Sequence, residues 1–442
     1  MLPASARSHF DASADADTTR PPALAWGQWK PAVAIAVATV GICAVGSFAV
    51  PGWAGLHQWF VPGDGKWTLQ GAQWVSHGAI GTVYQGDTMY LALPGLLILL
   101  APVVAVGDHL GLVVAYPYAL PYPSMWELVG PAFFLLGSTC VLGVDYLADT
   151  LGVSRRRRNL IGAATGLVVV APTVMIVGHP EDLLALALAC LSLALLLRRR
   201  RIGAALVLSV AVMMQPWAAL LIPILVAATP AGRRARAFLW SCALPGACAA
   251  MLFALDFGDT WRSLVEQPMP VLGRGQHLPW WGLASHMTLM DGSTRVHALV
   301  GSGPRSLAVV AALLAAAWVV RNPRPGTIMT AVSVVLLARC VFETQFWPYY
   351  VAPAAVVMAI GAASSIGSRT RWIVSSILAF VTYGFAAAAY NYYSLPPWPA
   401  LAILVGAGSL AIYLSLDRDG APPQPAPQPA TPELALAGAG GP

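Results

Sequence analysis

The chain has 442 residues, of which 57% are hydrophobic and only 10% charged, and its mean hydropathy is +0.67. Those values exclude a soluble domain and leave an all-α, polytopic helical membrane protein. The net charge of +6 does not point to nucleic acid, because the arginines gather in short segments between apolar runs, where they report topology.

Residues 1–30 are polar and mixed in charge and read as a disordered cytoplasmic segment. The apolar run that follows Lys30 has no A-x-A site ahead of a soluble domain, so it reads as a retained first span and not a cleaved signal. Residues 31–415 form the transmembrane domain, and residues 416–442, rich in Pro, Ala and Gly, read as a disordered cytoplasmic tail. All six cysteines (Cys43, Cys140, Cys190, Cys242, Cys248 and Cys340) fall inside apolar segments. They act there as small hydrophobes, with neither a disulfide framework nor zinc-finger spacing.

The arginine groups 155–158, 198–201 and 233–236 are predicted to be cytoplasmic and so set the parity of the spans between them. Residues 31–50 lead outward and 126–147 return; the Pro-punctuated stretch 90–125 between them reads as re-entrant or lying in the interface. Residues 159–177 and 183–197 make a tight hairpin about the polar turn GHPED, Gly178 to Asp182. Between Arg201 and Arg233 the Gln215-Pro216 pair breaks the run into two half-helices. Residues 237–254, 305–321, 327–343, 349–366, 372–391 and 397–415 complete the set. The expected architecture has about 10–12 transmembrane helices, some broken, with long outer loops at 51–89 and 255–304.

Acids and histidines collect at the predicted outer face. Asp64 lies in 62-PGDGKW-67 between glycines that let the backbone approach a ligand closely; an ordinary turn aspartate is the plain alternative. Arg339 sits near the outer end of an apolar span, where a charge is costly and marks function. Pairing with Glu343, one helical turn on, is its structural alternative. His179 is placed to donate to a phosphate or a sugar hydroxyl. Glu181 and Asp182 bind hydroxyls or cap the helix that starts near Leu183, and Pro180 ahead of two acids favours the cap. One histidine beside two adjacent acids lacks the spacing that converges on one ion, so no metal is expected. In 274-RGQHLPWWGLASHM-287, indole faces stand beside hydrogen-bonding groups, which favours a sugar ring over the alternative of an interfacial anchor. Trp217 reads as packing.

With Gly71-Ala72 seven and eight residues beyond Asp64, then Gly81-x-x-Tyr84, the segment resembles the GT-C superfamily of membrane glycosyltransferases. It is similar to glycosyltransferase family 87, which includes polyprenyl-phosphate-mannose-dependent phosphatidylinositol mannoside mannosyltransferases. The resemblance continues at Gly178-His179, along 203-GAALVLSVAVMMQPWAALLIP-223 and at 338-ARCVFETQFWPYYVAP-353. It spans about residues 55–355, and Gln215 stands where the family has lysine. The resemblance implies a GT-C-like fold with Asp64 as catalytic base. Together with the residue reading it places Arg339, His179 and Arg274 on the donor phosphate. Lys66, Gln70, Tyr84, Glu181 and Asp182 then join His277, Trp280, Trp281, Glu343 and Tyr349 around sugar and acceptor.

The expected reaction is inverting transfer of a sugar, mannose being favoured, from a polyprenyl-phosphate donor to a glycolipid or glycan at the outer face of the cytoplasmic membrane. Such a transfer needs a base for the acceptor hydroxyl and cations for the departing phosphate. No cofactor is expected, and the partners are the lipid-linked sugar, the acceptor and membrane lipid. A Gly-rich phosphate loop or Rossmann pattern is missing from the sequence. The alternatives are a lipid or glycolipid transporter or flippase, or a non-catalytic subunit of an envelope assembly. No internal repeat between the two halves favours the transporter.

Overall fold

A computed structural model describes residues 26–52, 59–85, 90, 92–114, 123–266, 284–288, 294–298, 303–342 and 348–365. The terminal segments, the spans expected at 372–391 and 397–415, and Arg274, His277, Trp280, Trp281 and Glu343 lie outside the described residues.

The described chain is helical apart from one short ladder. Helix α1 runs Trp26–Gly52, α2 Gly63–Ser76, α3 Gly95–His109 and α4 Trp126–Thr150. Helix α5 (Arg155–Ala164) continues through two π turns, Thr165–Val170 and Thr173–Val177, flanking Pro172, which has no backbone N–H to donate. Helix α6 spans Pro180–Leu197 and α7 Arg201–Met214. The chain extends at Gln215, makes the 3-10 turn Pro216–Leu221 and resumes as α8 (Ile222–Ala227), the break that Gln215-Pro216 predicts. Helix α9 (Arg234–Leu255) and the short α10 (Phe257–Trp261) precede strands β1 (Ala284–Thr288) and β2 (Thr294–Ala298), which pair antiparallel. Helices α11 (Gly303–Arg321), α12 (Pro325–Phe342) and α13 (Ala352–Ser365) follow.

Among the described residues, six stretches are long and apolar enough to cross a membrane: Trp29–Ala49, Trp126–Thr150, Arg155–Met175, Pro180–Leu197, Ala231–Leu255 and Pro325–Phe342. Others are apolar but shorter, among them Gly95–His109, Arg201–Met214, Ser306–Arg321 and Tyr349–Ser364. The break at Gln215 leaves the half-helices the sequence predicts, and within 349–366, expected as a full span, a 3-10 turn precedes the 14-residue α13. On α1, α9 and α11 large apolar side chains such as Val37, Val45, Leu239, Leu313 and Leu314 are exposed. An apolar surface of that extent belongs in lipid.

Helix α4 packs on α6, α6 on α7, α7 on α9, α11 on α12 and α2 on α3. Small residues let the backbones close. A methyl group built at Gly143 would stand 2.5 Å from the Ala187 carbonyl oxygen and 2.7 Å from its Cα, so α4 and α6 touch backbone to backbone. Gly143→Ala is expected to cost about 1–3 kcal/mol by overpacking. Gly41→Ala, where nothing lies within 4 Å, is expected to be neutral or slightly stabilising, since alanine is the better helix former. Thermal melts of the two variants side by side check the pair.

Within the stretch 51–89, expected as a loop, α2 and a 3-10 turn over Ile80–Tyr84 are formed. The pattern that hides it is a helix whose polar face is partly buried, with Thr68 and Gln70 under cover beside Leu69 and Ala72.

A polar cluster binds α4, α5 and α6 at the end of α6 away from Pro180. Arg158, 8% exposed, donates to both carboxylate oxygens of Asp145 at 2.8 and 3.0 Å and to Asp149. Arg198 donates to Asp149 at 3.2 Å and to Thr150 at 3.0 Å, and lies over the Tyr146 ring. Two of the arginines expected only to mark topology therefore also lock helices together.

Candidate functional site

The site forms where the start of α2 meets the turn ahead of α6. Asp64 is in the first turn of α2, behind Pro62 at the N-cap position, where the helix dipole favours a carboxylate. It is a helical residue and not part of a Gly-Pro turn, and Thr68 Oγ1 donates to its backbone carbonyl at 3.2 Å. Gly178 takes φ +87°, and a methyl group there would lie 2.7 Å from Pro62 Cβ and 2.9 Å from Gly65 N. On the other side, Gly65 packs against the buried Trp126 ring. The beginning of α2 is thus wedged between Gly178 and Trp126, which brings residue 64 to residue 179.

Gly178→Ala is expected to cost about 1–2 kcal/mol from the left-handed backbone alone, and the contact with Pro62 adds to it. A thermal melt reads this as a fall that Gly41→Ala does not show.

His179 Nε2 is 2.9 Å from Asp64 Oδ2, and Nδ1 bonds Glu181 Oε1. A carboxylate on each ring nitrogen favours the imidazolium, in which both nitrogens donate. Burial alone would lower its pKa, but the charge of Glu181 and the bonds to Asp64 and Glu181 outweigh burial and hold it well above the ordinary histidine range. The ring stacks on Tyr349, centroids 4.5 Å apart and planes at 26°. Exposure falls along this chain, from half for the Asp64 side chain to 19% for His179 and 6% for Glu181.

Asp182, also buried, accepts from Trp217 Nε1 at 2.9 Å and from Gln215 Nε2 at 3.2 Å. The Arg339 guanidinium lies 4.3 Å from the centre of the Tyr350 ring and 5.6 Å from that of Trp217, and its Nη1 is 3.5 Å from the Tyr350 carbonyl oxygen. Its charge acts on Asp182 from behind this aromatic screen.

Asp64, His179, Glu181, Asp182, Arg339 and Tyr349 therefore come together as the sequence predicts, with several changes of role. No side-chain cap bond forms at the start of α6. Glu181 and Asp182 turn instead toward His179, Gln215 and Trp217, because the elements around α6 bury its first turn. Trp217, expected as packing, is a hydrogen-bond donor within the site. Tyr84 is 1% exposed and its hydroxyl donates to the Ala92 carbonyl at 2.9 Å; it fastens the chain ahead of α3 and offers no free face to a sugar. Lys66 and Gln70 stand about 200° and 240° around α2 from Asp64 at about 100° per residue, and Gln70 is buried. Neither starts on the Asp64 side of the helix.

The one histidine and two acids that the spacing appeared to separate do converge. Ligand atoms of His179, Glu181 and Asp182 all lie within 4.8 Å of one another. Adjacency in sequence kept Glu181 and Asp182 from reading as a set, but at the start of the helix they and His179, ahead of Pro180, fan around one point.

Comparisons with protein-family models, with curated proteins and with solved structures returned no match.

Proposed function

We propose that this membrane protein is an inverting glycosyltransferase, taking a sugar from a polyprenyl-phosphate donor and adding it to a glycolipid or glycan hydroxyl. The observation that carries the reading is the Asp64 carboxylate: half exposed, aimed by a histidine that a buried glutamate holds in turn. A base for an acceptor hydroxyl needs these properties, access on one side and fixed orientation on the other.

In the transfer, the acceptor oxygen attacks the anomeric carbon as its proton passes to Asp64. The bond from that carbon to the phosphate oxygen breaks on the opposite face, and the lipid phosphate leaves with the electron pair. His179 orients Asp64 through the contact at Nε2. Arg339 supplies positive charge behind Asp182, where the donor's phosphate would approach. Gln215 holds Asp182 through a neutral amide at the position where the resembled family has lysine, so orientation of that acid does not need the lysine charge. The position of this site at the end of α6, about 27 Å along the helix from the Arg198 cluster by 1.5 Å per residue, supports a site at one membrane boundary with the arginines at the other. We assign it to the outer face of the cell membrane, where donors are lipid-linked.

The test is transfer by the full chain in lipid nanodiscs, given radiolabelled polyprenyl-phosphate mannose, glucose and arabinose with envelope glycolipid acceptors. Label appearing in one acceptor, with inverted anomeric configuration, supports the reading. Absence of transfer from every donor overturns it, and movement of lipid-linked sugar across liposomes would then favour a transporter, which the break at Gln215-Pro216 also suits.

A further inference from the structure

We propose that His179 Nδ1, Glu181 and Asp182 bind one divalent first-row cation, of the Mn²⁺ or Zn²⁺ class. Three independent observations meet here.

The first is spacing. The ligand atoms lie within 4.8 Å of one another, while opposite donors on one such ion stand about 4.0–4.6 Å apart, twice a bond of about 2.0–2.3 Å. Closing the difference takes side-chain adjustments of a few tenths of an ångström.

The second is an unsatisfied atom. Glu181 is 4% exposed, and its Oε2 is buried with no hydrogen-bond partner. Oε1 of the same carboxylate is on His179, so the bare oxygen belongs to the cluster. A buried carboxylate oxygen left unpaired is expensive, and a cation satisfies it.

The third is the surrounding shell. A histidine that ligates through one nitrogen is commonly fixed by a carboxylate on the other, and Asp64 accepts from Nε2 here. Asp182 is oriented in the same way by Trp217 and Gln215, each of its oxygens keeping a lone pair free. One imidazole with two carboxylates is too nitrogen-rich for Ca²⁺ or Mg²⁺ and suits Mn²⁺ or Zn²⁺. The ion takes the place of the Nδ1 proton, leaving the Asp64–His179 contact in place. Its part in the reaction, positive charge beside the departing phosphate, rests on the transfer reading; its binding does not.

The full chain is stripped with EDTA in nanodiscs and titrated with Mn²⁺ by electron paramagnetic resonance, with Zn²⁺ as competitor. About one Mn²⁺ per chain is expected, displaced by Zn²⁺, with nitrogen modulation from one imidazole in the pulsed spectrum. Glu181→Gln, checked for folding by gel filtration, is expected to weaken binding at least about 10-fold. If that variant does not fold, the nitrogen signal of the wild type decides alone. Substoichiometric binding, a spectrum without nitrogen coupling, or equal affinity in a folded Glu181→Gln overturns the site. Transfer assays run separately: a loaded protein that moves no sugar contradicts the transferase and leaves the ion site standing. Transfer that survives complete stripping contradicts the ion's catalytic part and leaves the transferase standing.

Discussion

Asp64→Asn is expected to abolish sugar transfer in a protein that still folds and still binds donor, with turnover falling about 10³-fold, inside the 10²–10⁴ range of a positioned general base. The asparagine keeps the size of the side chain and can turn its amide oxygen to accept from His179 Nε2, so the contact between α2 and the turn before α6 survives. What disappears is a group that takes a proton. Because the Asp64 side chain is half exposed, the expected change in stability is within about 0.5 kcal/mol, as for other surface replacements. Steady-state kinetics with a donor-binding measurement separate the two effects. Turnover that falls with donor affinity unchanged fits a base, whereas loss of both in parallel would place Asp64 in binding.

Arg158→Leu is expected to destabilise the protein by about 3–5 kcal/mol, the range for breaking a buried ion pair by removing one partner. Arg158 and the Asp145 side chain are 9% and 7% exposed, and the two-pronged contact of 2.8 and 3.0 Å leaves Asp145 no other strong donor once the guanidinium is gone. Asp149 retains Arg198, so the loss concentrates on Asp145. The double variant Arg158→Leu with Asp145→Leu is therefore expected to recover most of the stability, because two well-packed apolar residues replace a buried pair at little or no cost. Thermal unfolding in detergent of the two single variants and the double variant reads both statements. Three melts that all fall together would show that the pair is not an isolated energetic unit.

Much of the architecture was legible because it follows from composition and punctuation. Apolar runs of membrane length gave the long helices, Gln215-Pro216 gave the break, and glycine with proline ahead of two acids gave the start of α6. Asp64 and His179 were each visible as candidates, yet nothing local joins residues 115 apart in sequence. Their meeting depends on Gly178 lying against Pro62 and Gly65, a tertiary contact with no period to read. The same holds for Glu181 and Asp182. Near the start of a helix, acids read as dipole partners, and only burial by neighbouring elements turns them into a polar centre. Trp217 looked like packing because an indole in an apolar run usually is, and its donor role required knowing that Asp182 stands opposite. For the arginines, the topological reading is complete in itself, so a second use of Arg158 and Arg198 in holding helices left no further mark on the pattern. Tyr84 shows the reverse error, a tyrosine three residues after Gly81 that looked available and is closed in by its own neighbourhood.

The most direct measurement offers the purified full chain a polyprenyl-phosphate sugar and the matching nucleotide sugar in parallel, each radiolabelled, with glycolipid acceptor in nanodiscs. The account predicts label in the acceptor from the lipid-linked donor, none from the nucleotide sugar, and none from either with Asp64→Asn. Label from the nucleotide sugar, or equal transfer by wild type and Asp64→Asn, would contradict it.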